Sequence, residues 1–191
     1  MRHIQKWWVI PEINFISQFY KENLFLDAFA EKAKKYNLNE YDEIIFSFHG
    51  LPERHVDKVY ENSLCKDNNC ENGITSLNKF CYKATCYETA KQIAKRLKIK
   101  KSEYTVAFQS RLDNKWLRPF SDDVIKKRGQ KGGKKILCFS PSFVADCLET
   151  IIEIGDEYQE IFEEFGGKKV QLVESLNDSD LWVKCLKKMI L

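Results

Sequence analysis

Ile44-Ile45-Phe46-Ser47-Phe48-His49-Gly50-Leu51-Pro52 is the stretch from which the fold can be read. A short run rich in β-branched and aromatic side chains gives way to a Gly-Leu-Pro turn, the pattern of a buried strand stopped by turn formers. Residues 104–108, 135–139 and 169–173 have the same character. Helical patterns fall between and around these runs. Residues 23–34 place Leu24, Leu26, Ala28, Phe29 and Ala33 at helical spacing, and 85–97 do so with Ala90, Ile93, Ala94 and Leu97. Residues 121–128 form a shorter candidate, with Ser121 as N-cap and Asp122 and Asp123 behind it. Residues 146–165 carry Leu148, Ile151, Ile152, Tyr158, Ile161, Phe162 and Phe165 and stop at Gly166-Gly167, and 180–190 form the last helix. Strands alternating with helices predict an α/β domain: an open, mainly parallel sheet of about four strands with helices on both faces.

Length and composition fit one domain with a real core: 191 residues, 43% apolar and 13% aromatic. No apolar run reaches the roughly 20 residues that span a bilayer. Arg2 and Lys6 near the start are not followed by the long apolar region of a secretory signal. A cytoplasmic location without a transmembrane segment is therefore expected, which leaves peripheral membrane contact open. The net charge of +3 by itself argues for no partner, but its distribution does. Residues 136–167 contain none of the 31 lysines and arginines, yet hold Asp146, Glu149, Glu153, Asp156, Glu157, Glu160, Glu163 and Glu164. Lysines scattered elsewhere and an acidic cleft speak against nucleic acid.

In an open α/β sheet, ligands bind outside the carboxyl ends of the strands. His49 follows the first strand, so its imidazole is expected at the rim of such a cleft, able to take protons at neutral pH or to ligate a metal. His55 and His3 are read as solvated. Glu149, Glu153 and Glu157 are four residues apart and are expected to stack along one helix face, with Asp146 about a turn earlier. Like charges at that spacing destabilise a helix by roughly 0.2–0.5 kcal/mol per pair. The positive end of the helix explains the first acids well and Glu157 poorly. A bound or passing cation explains them all, and a solvated acidic face is the alternative. A third segment, Phe108-Gln109-Ser110-Arg111 followed by Trp116-Leu117-Arg118-Pro119, sits at the end of the second strand. Its Gln-Ser pair offers donors and acceptors, its Trp a flat face, and its arginines partners for ligand carboxylates.

Residues 56–80 form a polar, cysteine-bearing stretch between the first strand and the next helix, long enough to be functional rather than a mere connection. Cys65, Cys70, Cys81 and Cys86 are spaced C-x4-C-x10-C-x4-C. Thiols clustered in this way suit a [2Fe–2S] cluster or a structural zinc, with free thiols as the third reading. Cys138, Cys147 and Cys185 read as small apolar fillers, although Cys147 adjoins Asp146 in the acidic row.

Taken together, Ser47-Phe48-His49-Gly50-Leu51-Pro52 with Arg54, Phe108-Gln109-Ser110-Arg111 with Trp116-Leu117 and Pro119, Pro141 with Phe143, and Asp146-Cys147-Leu148-Glu149-Thr150 resemble ferrochelatase, which inserts ferrous iron into a porphyrin. Weaker agreement extends to Ile10-Pro11 and Glu174-Ser175-Leu176-Asn177. The resemblance covers nearly the whole chain but only the carboxyl-terminal half of the family, which has two Rossmann-like domains with the porphyrin between them. It implies a chelatase-type carboxyl-terminal domain over residues 1–191, a cysteine-bearing insertion at about 56–86, and an absent amino-terminal half. Between Arg111 and Trp116 the family usually has a glycine, where Leu112-Asp113-Asn114-Lys115 stands here. By resemblance, His49 and Glu149 are catalytic and face the macrocycle centre. Asp146, Glu153 and Glu157 continue the metal path from them, and Ser110, Arg111 and Trp116 contact the porphyrin. Some bacterial members resemble this chain in an internal cysteine set that binds [2Fe–2S], implying Cys65, Cys70, Cys81 and Cys86 as its ligands. The expected function is Fe2+ insertion into protoporphyrin IX or coproporphyrin III in haem biosynthesis. The alternative is a non-catalytic porphyrin- or metal-binding half that needs a separate amino-terminal domain. Trp7, Trp8 and Phe15 then predict pairing with the missing half or self-association.

Overall fold

All four strand-forming runs become strands in a computed structural model, which describes residues 4–191; His3 lies outside the described residues. They are β1 (Glu43–His49), β2 (Tyr104–Gln109), β3 (Lys135–Phe139) and β4 (Lys169–Leu172). The sheet is parallel throughout, in the order β2-β1-β3-β4. Ile44 to Phe48 are all buried, as a central parallel strand covered on both faces requires.

Seven α-helices accompany the sheet among the described residues: α1 (Asn23–Ala33), α2 (Glu53–Val56), α3 (Tyr82–Arg96), α4 (Ser121–Gln130), α5 (Leu148–Ile151), α6 (Tyr158–Glu164) and α7 (Asp180–Ile190). Alternate strand residues feed two cores. Phe46, Phe48, Val106, Phe108, Leu137 and Phe139 pack with α1, α3 and α7. Ile45, Ala107, Ile136, Cys138 and Val170 pack with Ile125 of α4 and with Tyr158 and Phe162 of α6. Helices therefore cover both faces. The α1–α7 contact is aromatic, with Phe25 and Trp182 centroids 5.8 Å apart.

Three local expectations need correction. The third helix starts at Tyr82, three residues before the expected Thr85, which lies inside its first turn with its N–H bonded to Cys81 O and its Oγ1 to Tyr82 O. Ser121 is not an N-cap: Phe120 flanks α4, and Ser121 lies buried inside it, its Oγ 2.7 Å from Ser47 Oγ. The acidic helix expected over 146–165 is broken. It begins at Leu148, opens into a π-turn at Glu153–Glu157 and resumes as α6. The cysteine-bearing stretch holds two 3-10 turns, Asp57–Val59 and Cys65–Asn68, linked by loops.

Strand order locates the site. From β1 the chain crosses through α3 to β2 on one side, whereas from β3 it crosses through α5 and α6 to β4 on the other. The loops leaving β1 and β3 therefore part company at adjacent strands, and the crevice between them is the topological switch point at which open α/β sheets bind ligands.

Candidate active site at the carboxyl ends of β1 and β3

β1 outruns β3. It stays paired with β2 as far as His49↔Gln109, but with β3 only as far as Phe46↔Phe139. Side chains take up the peptide groups of His49 instead: its N–H donates to Ser142 Oγ at 2.9 Å, and Tyr82 donates its hydroxyl to the His49 carbonyl at 2.8 Å. The imidazole is half-buried, with Nδ1 2.6 Å from the Gly50 carbonyl oxygen. A carbonyl only accepts, so Nδ1 is the donor of this bond and Nε2 is left outside it. Trp116 and Phe143 flank the ring with centroids at 6.3 and 6.0 Å.

The turn after β1 is zipped to the segment after β2. Leu117 N–H donates to Leu51 O, Glu53 N–H donates to Lys115 O, and Pro52 bridges Trp116 in antiparallel fashion. Gly50 permits this approach, since a Cβ there would lie 2.8 Å from Gln109 O and 3.1 Å from the Trp116 ring. Trp116 is thereby held beside His49. Arg111 is committed elsewhere: it pairs with Asp122 and stacks on Phe120 with its guanidinium carbon 4.0 Å from the ring centre.

Gln109 is the hinge of the site. Completely buried, it accepts hydrogen bonds at Oε1 from Ser47 (2.8 Å) and Ser140 (3.2 Å). Its Nε2 donates to the backbone oxygen of Glu149 at 2.7 Å and to Glu153 Oε2 at 3.0 Å. Strand ends and acidic segment are thus locked together through one amide. The Glu153 carboxylate is turned inward, also accepting from Ser110 N–H (2.7 Å), Ser110 Oγ (2.6 Å) and Tyr158 OH (2.9 Å). Ser110 has a left-handed backbone, φ 59°, that points both its donors at this carboxylate.

Glu149 behaves differently. Its pKa lies below the ordinary carboxylate value, first because its own backbone N–H stabilises the anion, then because the Cys147 thiol does, with a smaller attraction from His49. Gln109, which is in register with His49 and donates to the Glu149 backbone oxygen, brings these two segments, a hundred residues apart in sequence, to the same strand ends. Asp146 lies just before α5. Burial opposes its ionisation, but hydrogen bonds from Asn177, Ser175 and Thr150 more than offset this and leave its pKa lowered. Asp146 and Asn177 make a reciprocal pair, Asp146 N–H to Asn177 Oδ1 at 2.9 Å and Asn177 Nδ2 to Asp146 Oδ2 at 2.8 Å. Glu157 lines a cleft of about 240 Å³ with Glu153, Asp122, Arg111 and Ser110.

The four carboxylates do not form the single-faced ladder expected from their spacing. A π-turn closes on i−5, as Glu157 N–H to Ile152 O does at 2.9 Å, so residues four apart no longer lie above one another. Reading the sequence for helical period missed Tyr158, Ser142 and Tyr82. Polar Ser47, Gln109 and Ser140 at otherwise apolar strand ends were the available signal for the hinge.

The cysteine segment forms a second centre. Cys65, Cys70 and Cys81 bring their sulfurs within 3.5–3.7 Å of one another, all buried. Metal–thiolate bonds of about 2.3 Å put the sulfurs of a tetrahedral site roughly 3.8 Å apart, so this donor set fits a metal. Cys81 supplies a thiolate: the Cys65 thiol donating to it pulls its pKa down to about 5, against opposing burial. Cys86 stands outside the trio, buried in α3, with burial pushing its thiol pKa up.

A ferrochelatase family model matches residues 1–191. The chain is 39% identical over 183 residues to the ferrochelatase of Pseudomonas fluorescens (strain SBW25), covering 92% of this chain and 52% of that protein. The ferrochelatase of Coxiella burnetii (strain Dugway 5J108-111) is 41% identical over 183 residues, covering 93% and 51%. That of Legionella pneumophila subsp. pneumophila (strain Philadelphia 1) is 37% identical over all 191 residues and 57% of its own length. The chain spans about half the length of the curated relatives it matches. With a match along its full length and a parallel sheet that gathers His49, Trp116 and Glu149 at its switch point, the chain belongs to the ferrochelatase family.

Proposed function

We propose that this domain serves the insertion of Fe2+ into a porphyrin, protoporphyrin IX or coproporphyrin III, in haem biosynthesis in the cytoplasm. The observation that carries this reading is that Gln109, in register with His49 on the neighbouring strand, ties the Glu149 backbone to the same strand ends, which supports an imidazole and a carboxylate serving one crevice. A free-base porphyrin holds two pyrrole N–H protons that must leave as the metal enters. His49 Nε2 and the Glu149 carboxylate divide the tasks of accepting those protons and replacing water around the iron. The Nδ1 bond to Gly50 leaves Nε2 of His49 uncommitted, and the lowered pKa of Glu149 holds its carboxylate as an anion. Trp116 and Phe143, flanking His49, suit a flat aromatic ligand. Asp146 and Glu157 extend the acidic surface over which a hydrated cation travels. Glu153, with its carboxylate saturated by donors, and Ser110 shape that path. Arg111 borders it through its pair with Asp122.

In the cysteine segment, the reading is a [2Fe–2S] cluster held by Cys65, Cys70, Cys81 and Cys86. The clustered trio supports a metal centre here, with the lowered pKa of Cys81 favouring a thiolate ligand; Cys86 lies outside the trio and would have to join it to complete the cluster. Such a cluster supplies a one-electron centre and a clip for the long loop. Zinc held by the same thiols is separated from it by the visible absorption and the electron paramagnetic resonance signal that only the reduced cluster gives.

The deciding experiment is anaerobic insertion of Fe2+, with Zn2+ as surrogate, into a soluble porphyrin, comparing the protein with His49→Ala. Turnover that falls by at least 100-fold in the variant is expected. A Soret shift without turnover, identical in both proteins, would instead establish a porphyrin-binding half that needs a separately supplied amino-terminal domain.

A further inference from the structure

The thiol trio and the cleft histidine are joined by a single side chain. Cys81, one of the trio, is the residue that flanks the start of α3, and Tyr82 is the first residue of that helix. The Tyr82 ring crosses from the cysteine segment to the end of β1, where its hydroxyl donates to the His49 carbonyl at 2.8 Å. That carbonyl belongs to the part of β1 that has outrun β3, so it has no strand partner on that side and depends on Tyr82. The other half of the same peptide edge is held by Ser142 Oγ on the His49 N–H. A shift in Cys81 therefore moves the residue that fixes His49, with no intervening flexible link.

We propose that Tyr82 is a positioning residue that couples the Cys65–Cys70–Cys81 centre to His49: metal held by the trio sets the start of α3, and with it the hydrogen bond that orients the cleft histidine. The cysteine centre then acts on porphyrin metallation without touching porphyrin. A metal held there would pin three thiols that already lie 3.5–3.7 Å apart, and Cys81 cannot adjust without carrying Tyr82 along. Loss of the metal loosens that start and lets the His49 peptide move, and the Nδ1 bond to Gly50 sits on the same turn.

The coupling rests on the trio as a metal site and does not require turnover, so it can be read directly. Cd2+, a soft ion suited to thiolates, is added to the 13C,15N-histidine-labelled protein, and two signals are followed. The thiolate-to-metal charge-transfer band reports loading of the trio, and the ring Cε1–Hε1 cross-peak, assigned by its loss in His49→Gln, reports His49. In the unmodified protein the His49 peak is expected to shift by more than a linewidth in step with the band. In Tyr82→Phe the band should form while the peak stays still. In Ser142→Ala, which removes the hydroxyl that holds the His49 N–H and neighbours the Tyr82 oxygen but leaves the Tyr82 donor to the His49 carbonyl in place, the shift should persist. In Cys65→Ser both signals should be lost. A band with a silent His49 in the unmodified protein overturns the coupling alone. No band at all removes the metal reading and the coupling with it. An equal shift in Tyr82→Phe, or loss of the shift in Ser142→Ala, overturns the role of Tyr82. A shift that survives Cys65→Ser means that Cd2+ goes to His49 itself, and it too overturns the proposal.

Discussion

Gly50 and Asp146 show how single residues build the cleft from opposite sides. Any side chain at position 50 would meet the backbone oxygen of Gln109, which cannot swing aside as a flexible side chain does. Gly50→Ala is therefore expected to destabilise the fold by about 1–3 kcal/mol and to displace Trp116 from His49. A lower urea midpoint together with altered tryptophan fluorescence would report both. Asp146 ties α5 to the loop after β4 through its pair with Asn177, and its pKa is lower folded than unfolded. A depressed carboxylate contributes stability that is present above the unfolded value, about 3.9, and is lost as pH falls through the folded value. Asp146→Ala should therefore cost about 1–2 kcal/mol at pH 7, with the gap to the unmodified protein closing in acid below pH 4. A gap that stays constant down to pH 2 would mean that the Asp146 anion contributes nothing. At this scale the sequence announced His49, Glu149 and Trp116 through their segments. It could not announce that Glu153 faces inward, because that depends on Gln109 and Ser110 at the end of β2 meeting Tyr158 of α6.

Elements with one dominant physical cause were legible before any coordinates. The strands announced themselves because a parallel sheet covered on both faces demands unbroken apolar runs, and 135–139 matches β3 residue for residue. The acidic helix was read incorrectly because hydrophobic period assumes one unbroken helix: Ile154, Tyr158 and Phe162 are buried around a π-turn, while Leu148, Ile151 and Ile152, which the period placed on the apolar face, lie exposed. What opens the turn is polar. Glu153 is drawn inward by three neighbouring side chains and the Ser110 N–H, while Tyr158 is drawn to the same carboxylate. Gly155 sits at the middle of the π-turn, where it weakens the competing α-helix. Its φ is not left-handed, and a Cβ there would come no closer than 4.0 Å to Thr150 O. Gly155→Ala is thus sterically allowed and is expected to raise stability by about 0.5–1 kcal/mol through the unfolded chain. A fall in the denaturation midpoint would show instead that the π-turn needs glycine.

On the scale of the whole molecule, the segment before α1 is the unusual feature. Trp8, Val9 and Phe15 are 103%, 82% and 75% exposed, and Trp7, Ile10 and Ile16 are more than half as open as they can be or close to it. Between the 3-10 turn Ile4–Lys6 and α1, this segment has no helix or strand that would bury them. It leads into a groove of about 380 Å³ bordered by Ile16, Phe19, Phe25, Phe48, Tyr82 and Pro141, which adjoins the His49 end of β1. Soluble monomers rarely leave contiguous apolar surface of more than a few hundred Å² uncovered. A chain that spans about half the length of its relatives has a candidate cover in the part of those relatives that it does not match. Taken alone, the chain is expected to self-associate, with light scattering giving a mass that rises with concentration, and Trp7→Ser with Trp8→Ser should reduce that association. The unmatched half of the Coxiella relative, expressed separately, should compete with it, giving a one-to-one complex in which tryptophan emission shifts to the blue as the indoles leave water. Competition would mean that the arm belongs to an interface between halves. Self-association that persists against a large excess of that half would assign the arm to a second copy of this chain, and a monodisperse monomer indifferent to the added half would refute both.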